Sequence, residues 1–135
     1  MLGAAALALV ALLAACGGNG AAEGAARVVL NEWSVAPNVA SVTAGQGTFE
    51  AANQGVQPHE LVVIKTDLAP DKLVMRADEP KVNEEASGQL VGEIEELQPG
   101  KTEKGTMTLP AGRYVLICNI SGHYQLGMRV AFEAK

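Results

Sequence analysis

The sequence is short of the residues from which most metal and nucleic-acid chemistry is built. Two histidines, His59 and His123, are all it has among 135 residues. A single mononuclear centre would use both, so a second, histidine-rich catalytic metal centre is excluded and any metal site is single. Lys and Arg number 10 against 15 Asp and Glu, a net charge of −5. With no basic patch, the charge argues against a nucleic-acid surface. Aromatic residues make up only 4 %, so Val, Leu and Ala must supply most of the core. The opening apolar run, residues 1–15, falls short of the about 20 residues a transmembrane helix needs. The length suits one domain with one core.

The two cysteines, Cys16 and Cys118, need separate explanations. The uncharged run before Cys16 suits the core of a signal peptide. Its end, Leu13-Ala14-Ala15-Cys16, resembles the lipobox of bacterial lipoproteins, in which the cysteine becomes the lipidated first residue. No Lys or Arg precedes the run, unlike the usual pattern. A plain secretory signal or an uncleaved anchor is the alternative. A Cys16–Cys118 disulfide ranks low, because it would tie a leader to a loop crowded with ligand-type residues. Gly17 to Ala26 is small and unpatterned, and reads as a tether. The expected division is therefore 1–15 signal peptide, 16–26 lipidated Cys16 and tether, and 27–135 folded domain. The lipid would hold that domain on the periplasmic or extracellular side of a bacterial membrane.

From Arg27 the chain reads as seven or eight short strands with Gly and Pro turns and no long helical pattern. Arg27–Trp33 is a first strand, Val39–Val42 a short edge, and Thr48–Asn53 alternates with period two. Glu60–Thr66, Thr102–Leu109, Tyr114–Ile117 and Met128–Phe132 follow. Between Asp71 and Glu103 nine acids face four bases, so this stretch carries a charge equal to that of the whole chain. It is expected to be a solvated acidic insertion, short helical or irregular, with short strands at Leu73–Met75 and Leu90–Ile94. The pattern predicts an all-β, antiparallel Greek-key sandwich.

The chemistry concentrates in Cys118-Asn-Ile-Ser-Gly-His123-Tyr-Gln-Leu-Gly-Met128. Singly, Cys118 reads as a buried thiol, Met128 as core and His123 as a surface histidine. Together they set a thiol, an imidazole and a thioether at even spacing between two apolar strands. His59, after Pro58 at a loop-to-strand junction, is the one imidazole left to join them. Two His, one Cys and a distant Met form the ligand set of blue-copper electron-transfer sites.

Those residues, with Ala44-Gly45 before a Thr-Phe strand and Gly112-Arg-Tyr114 leading to the cysteine, resemble the cupredoxins. That family includes plastocyanin, azurin, rusticyanin and sulfocyanin. The resemblance covers about Val28 to Glu133. The Cys-to-His spacing is similar to azurin, rusticyanin and sulfocyanin, and the His-to-Met spacing to the last two. It implies a cupredoxin-like sandwich with one type 1 copper, held by His59, Cys118 and His123 in a plane and Met128 on the axis. It also implies that Asn119 orders the ligand loop and bonds toward the first ligand loop. Two departures stand out: Glu60 follows His59 where many relatives have Asn, and Ser121 replaces a Pro. The family's apolar docking surface would fall here on Val56, Pro58, Tyr124, Leu126 and Gly127.

The function these features predict is a single-electron carrier, not an enzyme, acting as a monomer with redox partner proteins. A copper-storage or copper-delivery protein is one alternative. That role favours exposed Met- or His-rich clusters, which the sequence lacks. A metal-free interaction module is another, against which all four ligand positions count.

Overall fold

The computed structural model describes residues 24–135. The expectations for the signal peptide, Cys16 and most of the tether lie outside the described residues. Among the described residues, nine strands and two single-turn helices make a two-sheet sandwich. The strands are β1 (Ala25–Asn31), β2 (Ser34–Pro37), β3 (Ser41–Val42), β4 (Gly45–Asn53), β5 (His59–Lys65), β6 (Gln89–Leu97), β7 (Thr102–Leu109), β8 (Gly112–Ile117) and β9 (Arg129–Ala134). Helix α1 (Glu84–Ser87) precedes β6, and α2 (His123–Leu126) lies between β8 and β9. One sheet runs β2-β1-β4-β7, the other β3-β9-β8-β5-β6. Pairing is antiparallel except at β1–β4 and β3–β9, which are parallel.

The first expected strand differs in a way that matters to the site. The chain does not run straight through to Trp33. It turns at Glu32 and Trp33, and β2 folds back on β1 with Val28 opposite Pro37 and Asn31 opposite Ser34. The added β2 raises the strand number among the described residues to nine, with the expected short edge reduced to the two-residue β3. Asn31 and Ser34 are turn-forming types that flank the bend. The hairpin tip reaches the end of the sandwich where the candidate ligands lie.

Alternating residues of both sheets fill the core, among them Val28, Leu30, Phe49, Leu61, Val63, Leu116 and Phe132. Phe49 and Phe132 meet across it with ring centres 5.5 Å apart. The other face of β5 and β8 is buried as well. Val62, Ile64, Val115 and Ile117 pack under Leu73, Val82 and Tyr124. Hence the continuous apolar run Leu61-Val-Val-Ile64, buried at every position: a strand covered on both faces needs no polar side. Each such side chain contributes about 1.5–3 kcal/mol by leaving water.

The acidic stretch therefore divides. Residues 66–88 form a cover over β5 and β8, stitched by one bridge between Met75 and Val82. Leu90–Ile94 belongs to the longer β6. Asn83 caps α1 by accepting the amide of Ala86 at 3.1 Å.

Candidate metal centre

Three neighbouring strands deliver the ligands to one end of the sandwich. His59 opens β5, Cys118 follows the last residue of β8, and Met128 immediately precedes β9. Val62 lies opposite Ile117, and Ile117 opposite Arg129. One step on, the Cys118 amide donates to the Met128 carbonyl at 3.1 Å. His123 begins α2, whose last turn closes on Gly127 at φ 126. A Cβ there would be strained by that φ and would approach the Trp33 carbonyl oxygen to 3.1 Å.

These placements bring three donor atoms together. His59 Nδ1 and His123 Nδ1 lie 3.3 Å apart, and Cys118 Sγ lies 3.9 and 3.5 Å from them. A triangle with those edges has its centre about 2.1 Å from each corner, within the about 2.0–2.3 Å reach of imidazole and thiolate bonds to a first-row ion. All three residues are buried. Met128 is fully buried in the same core cluster as Cys118. The three donors, two nitrogens and one soft thiolate, fit one type 1 copper, with the thioether-bearing Met128 in the same buried cluster and no further histidine in the chain.

The copper-free triad pairs a protonated thiol with a neutral imidazole. Burial pushes the Cys118 thiol up to about 11, with the amides of Glu60 and Ile120 pulling the other way. Burial also lowers His123, and the nearby His59 adds to the effect, so the His123 imidazole is neutral at pH 7. A bound cation would displace the Cys118 proton outright.

Around the triad, the structure extends and corrects the sequence expectations. Glu60 donates its backbone N–H to Cys118 Sγ at 3.4 Å. Burial raises its carboxyl above the usual range, against the pull of the Asn119 amide. The Asn119 side chain does not reach toward the His59 loop. Its Oδ1 accepts the Val82 amide at 2.7 Å, and its Nδ2 donates to the Val82 carbonyl at 3.1 Å and to Glu84 Oε1 at 2.7 Å. The reason is topological: the insertion, not the His59 loop, covers this side of the ligand loop. The Gly122 amide also bonds there, to the Pro80 carbonyl at 2.7 Å.

Tyr124 is a second correction. Expected on the docking surface, it is buried under the insertion. Its hydroxyl accepts the Leu73 amide at 3.1 Å and donates to the Pro70 carbonyl at 2.7 Å. Val56, at 83 % exposure, and Leu126, at 56 %, do face solvent, and Pro58 is half-buried.

Two neighbours of the histidines were missed by sequence reasoning, and both sit at the hairpin tip. The Trp33 ring stands edge-on to His123 with centres 5.1 Å apart. Glu32 Oε1 lies 3.0 Å from His59 Nε2. Only the turn-forming residues around them offered a signal.

A Greek-key sandwich with this donor set at one end defines a cupredoxin. Residues 19–134 match the Sulfocyanin (SoxE) domain, and the chain belongs to that family. No curated protein matches it significantly. Among solved structures it is similar to reduced auracyanin from Roseiflexus castenholzii, with TM-score 0.61, 22 % identity, 84 % of this chain and 98 % of that one. Auracyanin B matches at TM-score 0.61 and 19 % identity, over 88 % and 92 % of the two chains. Auracyanin A, a "blue" copper protein from Chloroflexus aurantiacus, matches at TM-score 0.57 and 20 % identity, over 82 % and 98 %. These likenesses support the fold.

Proposed function

We propose that this protein is a single-electron carrier that works through one type 1 copper, held by His59, Cys118, His123 and Met128. The observation that carries this reading is the buried triangle of two Nδ1 atoms and one Sγ, with edges of 3.3 to 3.9 Å. When bound, copper supplies a one-electron couple between Cu(I) and Cu(II). The chain's part is to keep its donors still. His59 and Cys118 are fixed by adjoining strands, and the amides of Cys118 and Glu60 tie the ligand loop and the sulfur in place. Donors fixed before the metal arrives need little rearrangement when its charge changes.

Docking falls to the apolar residues that border the histidines. Val56 and Leu126 are exposed, and the Trp33 indole, 36 % exposed, covers His123. A small apolar surface suits brief contact with a redox partner protein, and the acidic insertion tunes encounter rates. The lipobox-like Cys16 supports attachment to the outer face of a bacterial membrane. Among the described residues no helix is long and apolar enough to cross one.

Copper storage or delivery is the competing role, and the burial of every donor weighs against it. Voltammetry of the copper-loaded full chain in the presence of a chelator separates the two. A reversible one-electron couple with copper retained is expected. Ready loss of copper without a stable couple would assign the protein to copper handling.

A further inference from the structure

We propose that Glu32 is a charged positioning residue of this centre: its carboxylate fixes the His59 ring and favours the oxidised state of the site. The inference rests on the copper reading above and goes beyond its ligands.

Glu32 lies at the tip of the β1–β2 hairpin, on the opposite sheet from His59. One carboxylate oxygen gathers three donors. Oε1 lies 3.0 Å from His59 Nε2, and accepts the amides of Val56 at 2.9 Å and Gln57 at 2.8 Å. The fit is close: a Cβ on Gly55 would stand 2.5 Å from Oε1. A side chain at residue 55 would push the carboxylate from this position.

The contact has two chemical consequences. An ionised carboxylate only accepts hydrogen bonds, so His59 must carry its proton on Nε2. Its Nδ1 lone pair is then free, on the side where His123 Nδ1 and Cys118 Sγ lie. Partial desolvation pushes the Glu32 carboxyl up, but the Gln57, Glu32 and Val56 amides and the His59 ring outweigh it and hold it below the usual range. The second consequence is electrostatic. A negative charge across the ring makes the imidazole a stronger donor and stabilises the more highly charged oxidised metal over the reduced one. His123 has no such partner in the described structure; its outer neighbour is the Trp33 ring.

Glu32→Gln separates charge from shape. The amide oxygen can accept the same three bonds, so the loop stays tied while the charge is lost. The copper-loaded full chain and its E32Q variant are compared by absorption spectrum and by midpoint potential. Both are expected to show the thiolate-to-copper band. E32Q should have the higher potential, favouring the reduced state by about tenfold, which is about 59 mV for a one-electron couple. In the copper-free protein, nitrogen NMR should find His59 protonated on Nε2 in the wild type, with the other tautomer gaining in Glu32→Ala. An E32Q potential within about 18 mV of the wild type, a less than twofold change in the redox equilibrium, would overturn the inference and leave Glu32 a tie for the 55–57 loop. A wild type with no copper band overturns the reading underneath, and that is seen before any variant is compared.

Discussion

The Nδ1 atoms of His59 and His123 lie 3.3 Å apart although 64 residues separate them in the chain. Two imidazoles placed this close without a cation between them repel when both are protonated. Their approach is enforced by β5 on one side and the short helix after Cys118 on the other. The frame thus sets the spacing of the two nitrogens.

Removing Trp33 should expose His123. Burial is the main cause of its lowered affinity for protons, with the nearby His59 adding to it. Trp33→Ala is therefore expected to raise the His123 pKa toward the ordinary histidine value in the copper-free protein, without restoring it fully. A pH titration followed by NMR checks this. An unchanged value would mean that the indole does not shield the ring. The same variant should slow electron exchange with a partner if Trp33 belongs to the docking surface.

Cys118 makes the copper-free protein sensitive to alkali. Its folded pKa of about 11 lies above the ordinary 9.0. The neutral thiol thus supports folding fully below pH 9, and that support is lost as pH rises toward 11. The loss should amount to at most about 3 kcal/mol, read by denaturant unfolding at a series of pH values. Cys118→Ala should flatten this part of the profile. Copper uptake at neutral pH should also release one proton per chain, since the thiolate is the ligand.

Asn119→Ala should destabilise the fold rather than the donor triangle. It leaves the buried amide and carbonyl of Val82 without partners. Two such groups cost about 2–6 kcal/mol together. Urea unfolding measures the loss, and hydrogen exchange should locate it in the insertion over β5 and β8. A change confined to the His59 loop would contradict this assignment.

Cys16→Ala should release the protein from membranes into the soluble fraction. Retention on the membrane would rule out a lipid at Cys16 as its anchor.

Much of the site could be read in the sequence because its ligands cluster. Cys118, His123 and Met128 share one loop, and a chain with two histidines offers only His59 as a fourth member. The long apolar strand at Leu61–Ile64 was equally plain, since burial on both faces writes a continuous hydrophobic run. What stayed hidden depends on long-range contact. Glu32 and Trp33 read as the end of one strand, and only the fold-back of β2 brings them against the histidines. Tyr124 was expected at the surface because the family's docking edge surrounds His123; the insertion that covers it comes from residues about 50 positions earlier, as its bonds to Pro70 and Leu73 show. The expectation that Asn119 bonds toward the His59 loop came from the same resemblance. An acidic stretch does not announce which side of the sandwich it will cover.

The central claim is tested most directly by adding Cu(II) to the full-length, metal-free protein and recording the visible spectrum. An intense thiolate-to-copper band should grow to one copper per chain, bleach with a mild reductant, return on reoxidation and be absent in Cys118→Ala. A wild-type protein that stays colourless with Cu(II) in excess under oxidising conditions would contradict the account.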